Sequence, residues 1–251
     1  MPKQQVVVGI LALQGAFAEH KNHLQKAVNI AKHGSPLASV DVIIQEIRTP
    51  EQLALSDALV FPGGESTSIS LIAESTGILE PLRRYVRVEK KPVWGTCAGL
   101  ILLSDEASKA KRGGQELVGG LHVRCQRNHF GRQTESFEKE IKLPFINEEL
   151  EDPFKAVFIR APIVEKLLTL QDRQVDVESE TERLVKAPIF DYDSNDTTPV
   201  EIVATLDGPG SDIVAVRQGN IFGTSFHPEL TPDVRLHAWW LTEFVVKPST
   251  D

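Results

Sequence analysis

The sequence predicts an α/β protein, with a mixed but mostly parallel sheet flanked by helices on both faces, and two observations carry that expectation. Over the first half of the chain, short continuous runs rich in β-branched residues alternate with helix-length segments, the pattern of strands covered on both faces by crossover helices. From about Leu121 onward the extended pieces become shorter and more closely spaced, with Gly and Asp between them, as an antiparallel or mixed extension requires.

The first run, Val6-Val7-Val8-Gly9-Ile10-Leu11, is followed by Gln14-Gly15-Ala16 and a polar helical stretch over 18–31, so it reads as a buried strand feeding a helix. Further buried strands are expected at 42–47, 58–61 and 92–94, and later extended pieces at 154–160, 201–206, 213–217 and 220–225. The closing stretch, 232–246, carries Val234, Leu236, Trp239, Trp240, Leu241 and Phe244. It predicts a helix packed on the sheet, with Thr231 as N-cap and Pro232 in the first helical position. Two polar stretches, 29–40 and 171–198, read as surface-loop insertions in a single domain spanning 1–251.

Composition narrows the function. The chain has 251 residues, 41% apolar and 25% charged, and a formal net charge of −8. That charge repels a phosphate backbone, and the basic residues form only short pairs such as Lys90-Lys91, so nucleic acid is not an expected partner. The early apolar run over 6–13 is far shorter than the roughly 20 residues that span a bilayer, and it lacks a basic leader region. No membrane association and a cytoplasmic location are expected. Two cysteines, Cys97 and Cys125, are too few for a secreted disulfide framework.

Three short segments can carry chemistry. Val93-Trp94-Gly95-Thr96-Cys97-Ala98-Gly99-Leu100 has the form of a nucleophile elbow, in which small neighbours let the backbone turn sharply and project the central side chain at the carboxyl end of a sheet. A helix N-terminus beneath Cys97 favours the thiolate. An inert buried thiol is the commoner fate of a free cysteine.

His227-Pro228-Glu229 follows an expected strand and offers a base with an orienting carboxylate. If extended, it places residues i and i+2 on one side, although proline after histidine is also ordinary turn chemistry. Phe61-Pro62-Gly63-Gly64-Glu65-Ser66 is the third segment, and its glycines allow a backbone N–H to face a developing oxyanion. Most Gly-Gly turns at strand ends are only turns, and this one lacks the lysine and spacing of a phosphate loop.

Taken together and in this order, Pro62-Gly63-Gly64, Gly95-Thr96-Cys97-Ala98-Gly99 and His227-Pro228-Glu229 resemble the class I, or triad, glutamine amidotransferases, whose fold is flavodoxin-like. Further motifs make the chain similar to the glutaminase subunits of pyridoxal 5'-phosphate synthase. These are the segments 9–17 (GILALQGAF), Gly63-Gly64-Glu65-Ser66-Thr67, 127–133 (RNHFGRQ), Glu135-Ser136-Phe137-Glu138 and Phe158-Ile159-Arg160-Ala161-Pro162. The similarity covers most of the chain outside the two polar stretches.

That resemblance implies a triad of Cys97, His227 and Glu229, and an oxyanion hole from the backbone of Gly64 and Ala98. It implies a glutamine site of Gly64, Glu65, Ser66, Arg127, Ile159 and Arg160. The arginines suit an α-carboxylate, since guanidinium presents paired planar donors, but either could be a structural ion pair, and Ser66 could be an N-cap. Cys125 lacks an elbow and reads as structural. The implied reaction releases glutamate and ammonia from L-glutamine, with no metal or organic cofactor. Its implied partner is a (β/α)8 synthase subunit that builds pyridoxal 5'-phosphate. Docking of that partner is expected to flip the loop at Gly63-Gly64, with Gln14-Gly15 near the contact. The rival readings are another thiol hydrolase on this fold, such as a γ-glutamyl hydrolase, and a non-catalytic scaffold.

Overall fold

The computed structural model describes residues 4–31, 35–108, 115–130, 136–146, 153–174, 184–190, 195–208 and 210–246. Strands β1 (Gln4–Leu11), β2 (Val40–Ile47), β3 (Ala58–Phe61) and β4 (Val93–Thr96) lie parallel in the order β2-β1-β3-β4. Next to β4, also parallel, comes the last strand of the chain, β13 (Ile221–Thr224). Every residue of β3, β4 and β13 is buried, as continuous apolar strands in the middle of a parallel sheet must be.

Helices cover both faces. On one face α2 (Pro50–Ala54), α3 (Ser66–Ser75), α4 (Leu79–Arg87) and α5 (Ala98–Leu103) bury Leu53, Ile69, Leu82, Tyr85 and Leu100. On the other, α1 (Phe17–Asn29) and α7 (Arg235–Trp240) bury Leu24, Leu236 and Trp240 beside Phe154 and Phe158. A fully buried aliphatic or aromatic side chain contributes about 1.5–3 kcal/mol, so these two layers hold the sheet rigid beneath the site.

Beyond β13 the sheet becomes mostly antiparallel. It runs through β12 (Ile213–Gln218), β9 (Ile163–Leu167), β6 (Leu121–Gln126), β5 (Ser104–Ser108) and β10 (Leu184–Lys186). Within this extension, among the described residues, only β5 and β6 pair in parallel, and β11 (Glu201–Thr205) adds to β12 with shifts in register. A separate two-stranded ribbon is formed by β7 (Phe137–Ile141) and β8 (Phe154–Phe158).

The start of the closing helix corrects the expectation. The last helix begins at Arg235, and Thr231 caps nothing: its hydroxyl accepts the Asp233 N–H at 3.3 Å and donates to the Pro228 carbonyl, while the Asp233 carboxylate accepts the Arg235 N–H at 2.9 Å. After Trp240 the helix widens into a π-helical segment, Leu241–Val246.

The polar stretches also carry structure. Within 29–40, Pro36–Ser39 forms a 3-10 turn that buries Leu37. Within 171–198, residues 171–174 belong to α6 (Leu170–Gln174), and β10 pairs with β5 at the sheet edge. Residues 32–34, 175–183 and 191–194 lie outside the described residues.

Candidate active site

Register brings the site together. Phe61 of β3 lies opposite Gly95 of β4, and Thr96 lies opposite Thr224 of β13. The carboxyl ends of these three strands are therefore adjacent, and the segments leaving them carry Gly63-Gly64, Cys97 and His227.

Cys97 has φ 48° and ψ −100°, a conformation that L side chains rarely adopt, and it precedes α5 directly. Its N–H donates to the Thr224 carbonyl at 2.8 Å, which ties the elbow to β13. The flanking glycines are sterically required. A Cβ on Gly99 would lie 2.1 Å from the Phe61 carbonyl oxygen, and one on Gly95 would lie 2.5 Å from the Gly99 backbone. Ala98 opens α5, so its N–H belongs to the first turn, where donors lack intrahelical partners. Cys97 is 7% exposed, with Sγ 3.9 Å from the Ile159 carbonyl oxygen.

His227 and Glu229 reach one another through a turn, the second of the two geometries the sequence leaves open. Pro228–Leu230 is a 3-10 turn, and His227 Nδ1 lies 2.8 Å from Glu229 Oε1. An ionised carboxylate only accepts, so Nδ1 carries the proton toward Glu229 and Nε2 is the nitrogen free for chemistry. Burial opposes a charge on His227, but Cys97 on one side and Glu229 on the other raise its pKa to about 10. Burial also opposes ionisation of Glu229, yet His20 and His227 hold its carboxyl below the usual range. The result is a buried row in which His227 stands between Cys97 and Glu229.

The glycine loop closes over the imidazole. A Cβ on Gly63 would sit 2.3 Å from His227 Cε1, and one on Gly64 would sit 2.5 Å from Gln14 Oε1. The loop is tied to the turn after β1 by the Ala16 N–H, which donates to the Gly63 carbonyl at 2.9 Å, and by the Glu65 N–H, which donates to Gln14 Oε1 at 2.8 Å. Across a trans peptide, the Gly64 N–H points away from Ala16.

Arg127 reaches this loop from the far side. It donates to Gln115 Oε1 and, at 3.3 Å, to Thr67 Oγ1, and it lies 3.5 Å from Glu65. Ser66 Oγ is 3.4 Å from Gln115 Oε1. Glu65, not Ser66, is the N-cap of α3, accepting the N–H groups of Thr67 and Ser68. Ile159 faces Cys97 Sγ through its carbonyl. Arg160 is exposed at φ 47°, and no hydrogen bond joins it to the Arg127 cluster among the described residues. Cys125 is fully buried, and burial pushes its thiol up to about 12, in keeping with a structural residue.

Sequence reasoning missed Gln115 and His20. Gln115 lies in a loop with no periodicity or motif around it. His20 lies in the helical stretch read as polar, although His20, His23, Leu24 and Ala27 fall at helical spacing and all four are buried.

The pattern of this chain has close counterparts. The family model described as "SNO glutamine amidotransferase family" matches residues 10–188 and 182–246. Pyridoxal 5'-phosphate synthase subunit SNO1 of Saccharomyces cerevisiae is 40% identical, over 97% of this chain and 95% of its own length. Pyridoxal 5'-phosphate synthase subunit PdxT of Streptomyces avermitilis is 43% identical, over 92% and 90%. A crystal structure of a glutamine amidotransferase, 36% identical, covers 93% of this chain and 96% of its own with a TM-score of 0.65. Matched from its first strand to its last helix, the chain belongs to the SNO glutamine amidotransferase family.

Proposed function

We propose that this chain is the glutaminase subunit of a pyridoxal 5'-phosphate synthase, hydrolysing L-glutamine at Cys97, His227 and Glu229 and passing ammonia to a (β/α)8 synthase subunit in the cytoplasm. The observation that carries the reading is the strained Cys97 elbow facing a histidine that is held by a carboxylate at 2.8 Å. The names and extents of the relatives support the pathway.

The Cys97 thiolate attacks the carboxamide carbon of glutamine, and the N–H groups of Gly64 and Ala98 receive the oxyanion. One such donor lowers the barrier by about 2.7–4 kcal/mol. As the tetrahedral adduct collapses, the His227 imidazolium gives its Nε2 proton to the departing nitrogen, releasing ammonia and leaving a glutamyl thioester. Neutral His227 then takes a proton from water as the oxygen adds to the thioester carbon. The second collapse frees glutamate and restores the thiolate. Glu229 holds the imidazole in one tautomer throughout.

Arg127 receives the substrate α-carboxylate, and Ser66, Ile159 and Arg160 complete the wall. Glu65 acts by capping α3 and steadying Arg127, since its carboxylate is already engaged there. The two bonds between the glycine loop and the Gln14-Gly15-Ala16 turn give a docked partner a handle on the oxyanion loop.

The test is glutamate release by the purified chain, wild type and Cys97→Ala, with and without its cognate synthase subunit. Release that the synthase stimulates and Cys97→Ala reduces by roughly 10⁴-fold or more is the expected result. No release from the wild-type complex, with docking intact, would leave a scaffold.

A further inference from the structure

The triad does not end at Glu229. Behind it lie two imidazoles from elements far apart in sequence, His20 on α1 and His237 on α7, both with no exposed surface. His20 Nε2 is 3.3 Å from Glu229 Oε2 and 3.1 Å from Thr96 Oγ1, the residue immediately before the nucleophile. His20 Nδ1 is 3.0 Å from His237 Nε2. One ring therefore touches both the carboxylate of the triad and the strand end that carries its cysteine. Trp94 packs edge-on against both, with centroids 5.7 Å from His20 and 4.9 Å from His237, so neither ring is free to wander.

Proton bookkeeping selects one arrangement. Glu229 Oε2 and His237 Nδ1 are buried atoms without an aligned hydrogen-bond partner. If His20 carried its proton on Nδ1, a bare lone pair would face the carboxylate, and His237 would be left with a buried, unpaired N–H. With the proton on Nε2, His20 presents a donor to Thr96 Oγ1 and to Glu229 Oε2, and its Nδ1 accepts the Nε2–H of His237. Glu229 Oε2, which has no aligned partner, then faces the positive end of an N–H at 3.3 Å rather than a lone pair, and His237 is left with an unpaired lone pair on Nδ1 rather than an unpaired N–H.

Burial is the main cause lowering the pKa of both His20 and His237, so the relay is neutral and works through N–H dipoles. The titratable groups facing His20 are Glu19 and His23 on its own helix, Glu229 and His227 on the 3-10 turn, and His237 on α7. A pair of aliphatic side chains would fill this volume without the cost of burying ring nitrogens, which fits a role beyond packing.

We propose that His20 is a positioning residue for the glutaminase reaction, locked by His237 so that its Nε2–H steadies the outer oxygen of Glu229 and, through it, the tautomer of His227. The proposal rests on the triad reading above.

The test compares wild type with His20→Leu, His20→Gln and His237→Phe. Glutamine hydrolysis by each is measured in complex with the synthase subunit across pH, and Cys97 alkylation by iodoacetamide is measured across pH in the free chain. His20→Leu is expected to lower kcat by about 10- to 100-fold with KM for glutamine unchanged. It is also expected to move the acid limb of kcat/KM upward by about one pH unit, because a carboxylate that loses a donor protonates more readily. His20→Gln, which keeps a side-chain N–H, should recover most of the loss, and His237→Phe should cost less than about tenfold.

Unchanged kcat and pH profile in His20→Leu would overturn the proposal. So would equal losses in His20→Leu and His20→Gln with no movement of either pH profile, since that is the signature of space filling. If His20→Leu does not fold, His20→Gln and His237→Phe decide the matter by the same two profiles. Absence of glutamine hydrolysis in the wild-type complex would instead remove the triad reading on which the proposal stands.

Discussion

The parallel half of the sheet and its antiparallel extension build the site by different means. In the parallel half, position follows from backbone: strand ends in register at Gly95 and Thr96, glycines where no Cβ fits, and a cysteine at positive φ. The extension works through side chains. There Arg127, just past β6, and Gln115, before it, reach across to Thr67 and Ser66 at the start of α3. On the proposed function, reaction geometry rests on the chain path and substrate recognition on reach, so the two halves should fail differently when altered.

The largest expected effect is on the parallel side. Gly99→Ala drives a Cβ against the Phe61 carbonyl and should cost about 3 kcal/mol, with glutaminase activity lost, read as a lowered urea midpoint and absent glutamate release. A stable and active Gly99→Ala protein would break the contrast. On the other side, Arg127→Lys keeps the charge but loses the planar fork that spans Gln115 and Thr67. KM for glutamine should rise about tenfold while kcat stays within about twofold. A fall in kcat with constant KM would show that recognition and geometry are not separable in this way.

The smallest expected effect lies at α6, which carries none of the candidate site residues. Lys166, together with the N–H and hydroxyl of Thr169, holds the Asp172 carboxyl at about 2. Because the folded value lies below the ordinary one of 3.8, the stabilisation is present above pH 3.8 and is lost as pH falls through about 2. This carboxylate is partly buried at the surface, where solvent screens its ion pair, so Asp172→Asn should cost less than about 1 kcal/mol at neutral pH, and nothing once the wild-type group is protonated. Thermal melts at pH 7 and near pH 2 would show the difference closing.

Legibility in the sequence follows the same division. β3 is found at the expected 58–61, and the Cys97 elbow is where its small neighbours put it, because both are written in adjacent residues. The start of the last helix was misplaced because Thr231 has the right side chain for a cap, but its hydroxyl serves the turn before it. Glu229 does lie beside His227, but through a tight 3-10 turn and not through the extended path that would also have put the two on one side. The partners of His20 could not be read at all. His237 is 217 residues away, and only the packing of α1 against α7 makes them neighbours.

The backbone at Cys97 also bears on how such a chain would age. A residue held at φ 48° and ψ −100° costs roughly 1–3 kcal/mol relative to one at ease there, and glycine is the residue at ease. A lineage that no longer turned over glutamine would gain stability from the first mutation that replaced the whole side chain, Cβ included, with a hydrogen atom. Drift in a retired enzyme would therefore erase this position early, and a cysteine still standing on strained backbone is the mark of continued selection for its sulfur.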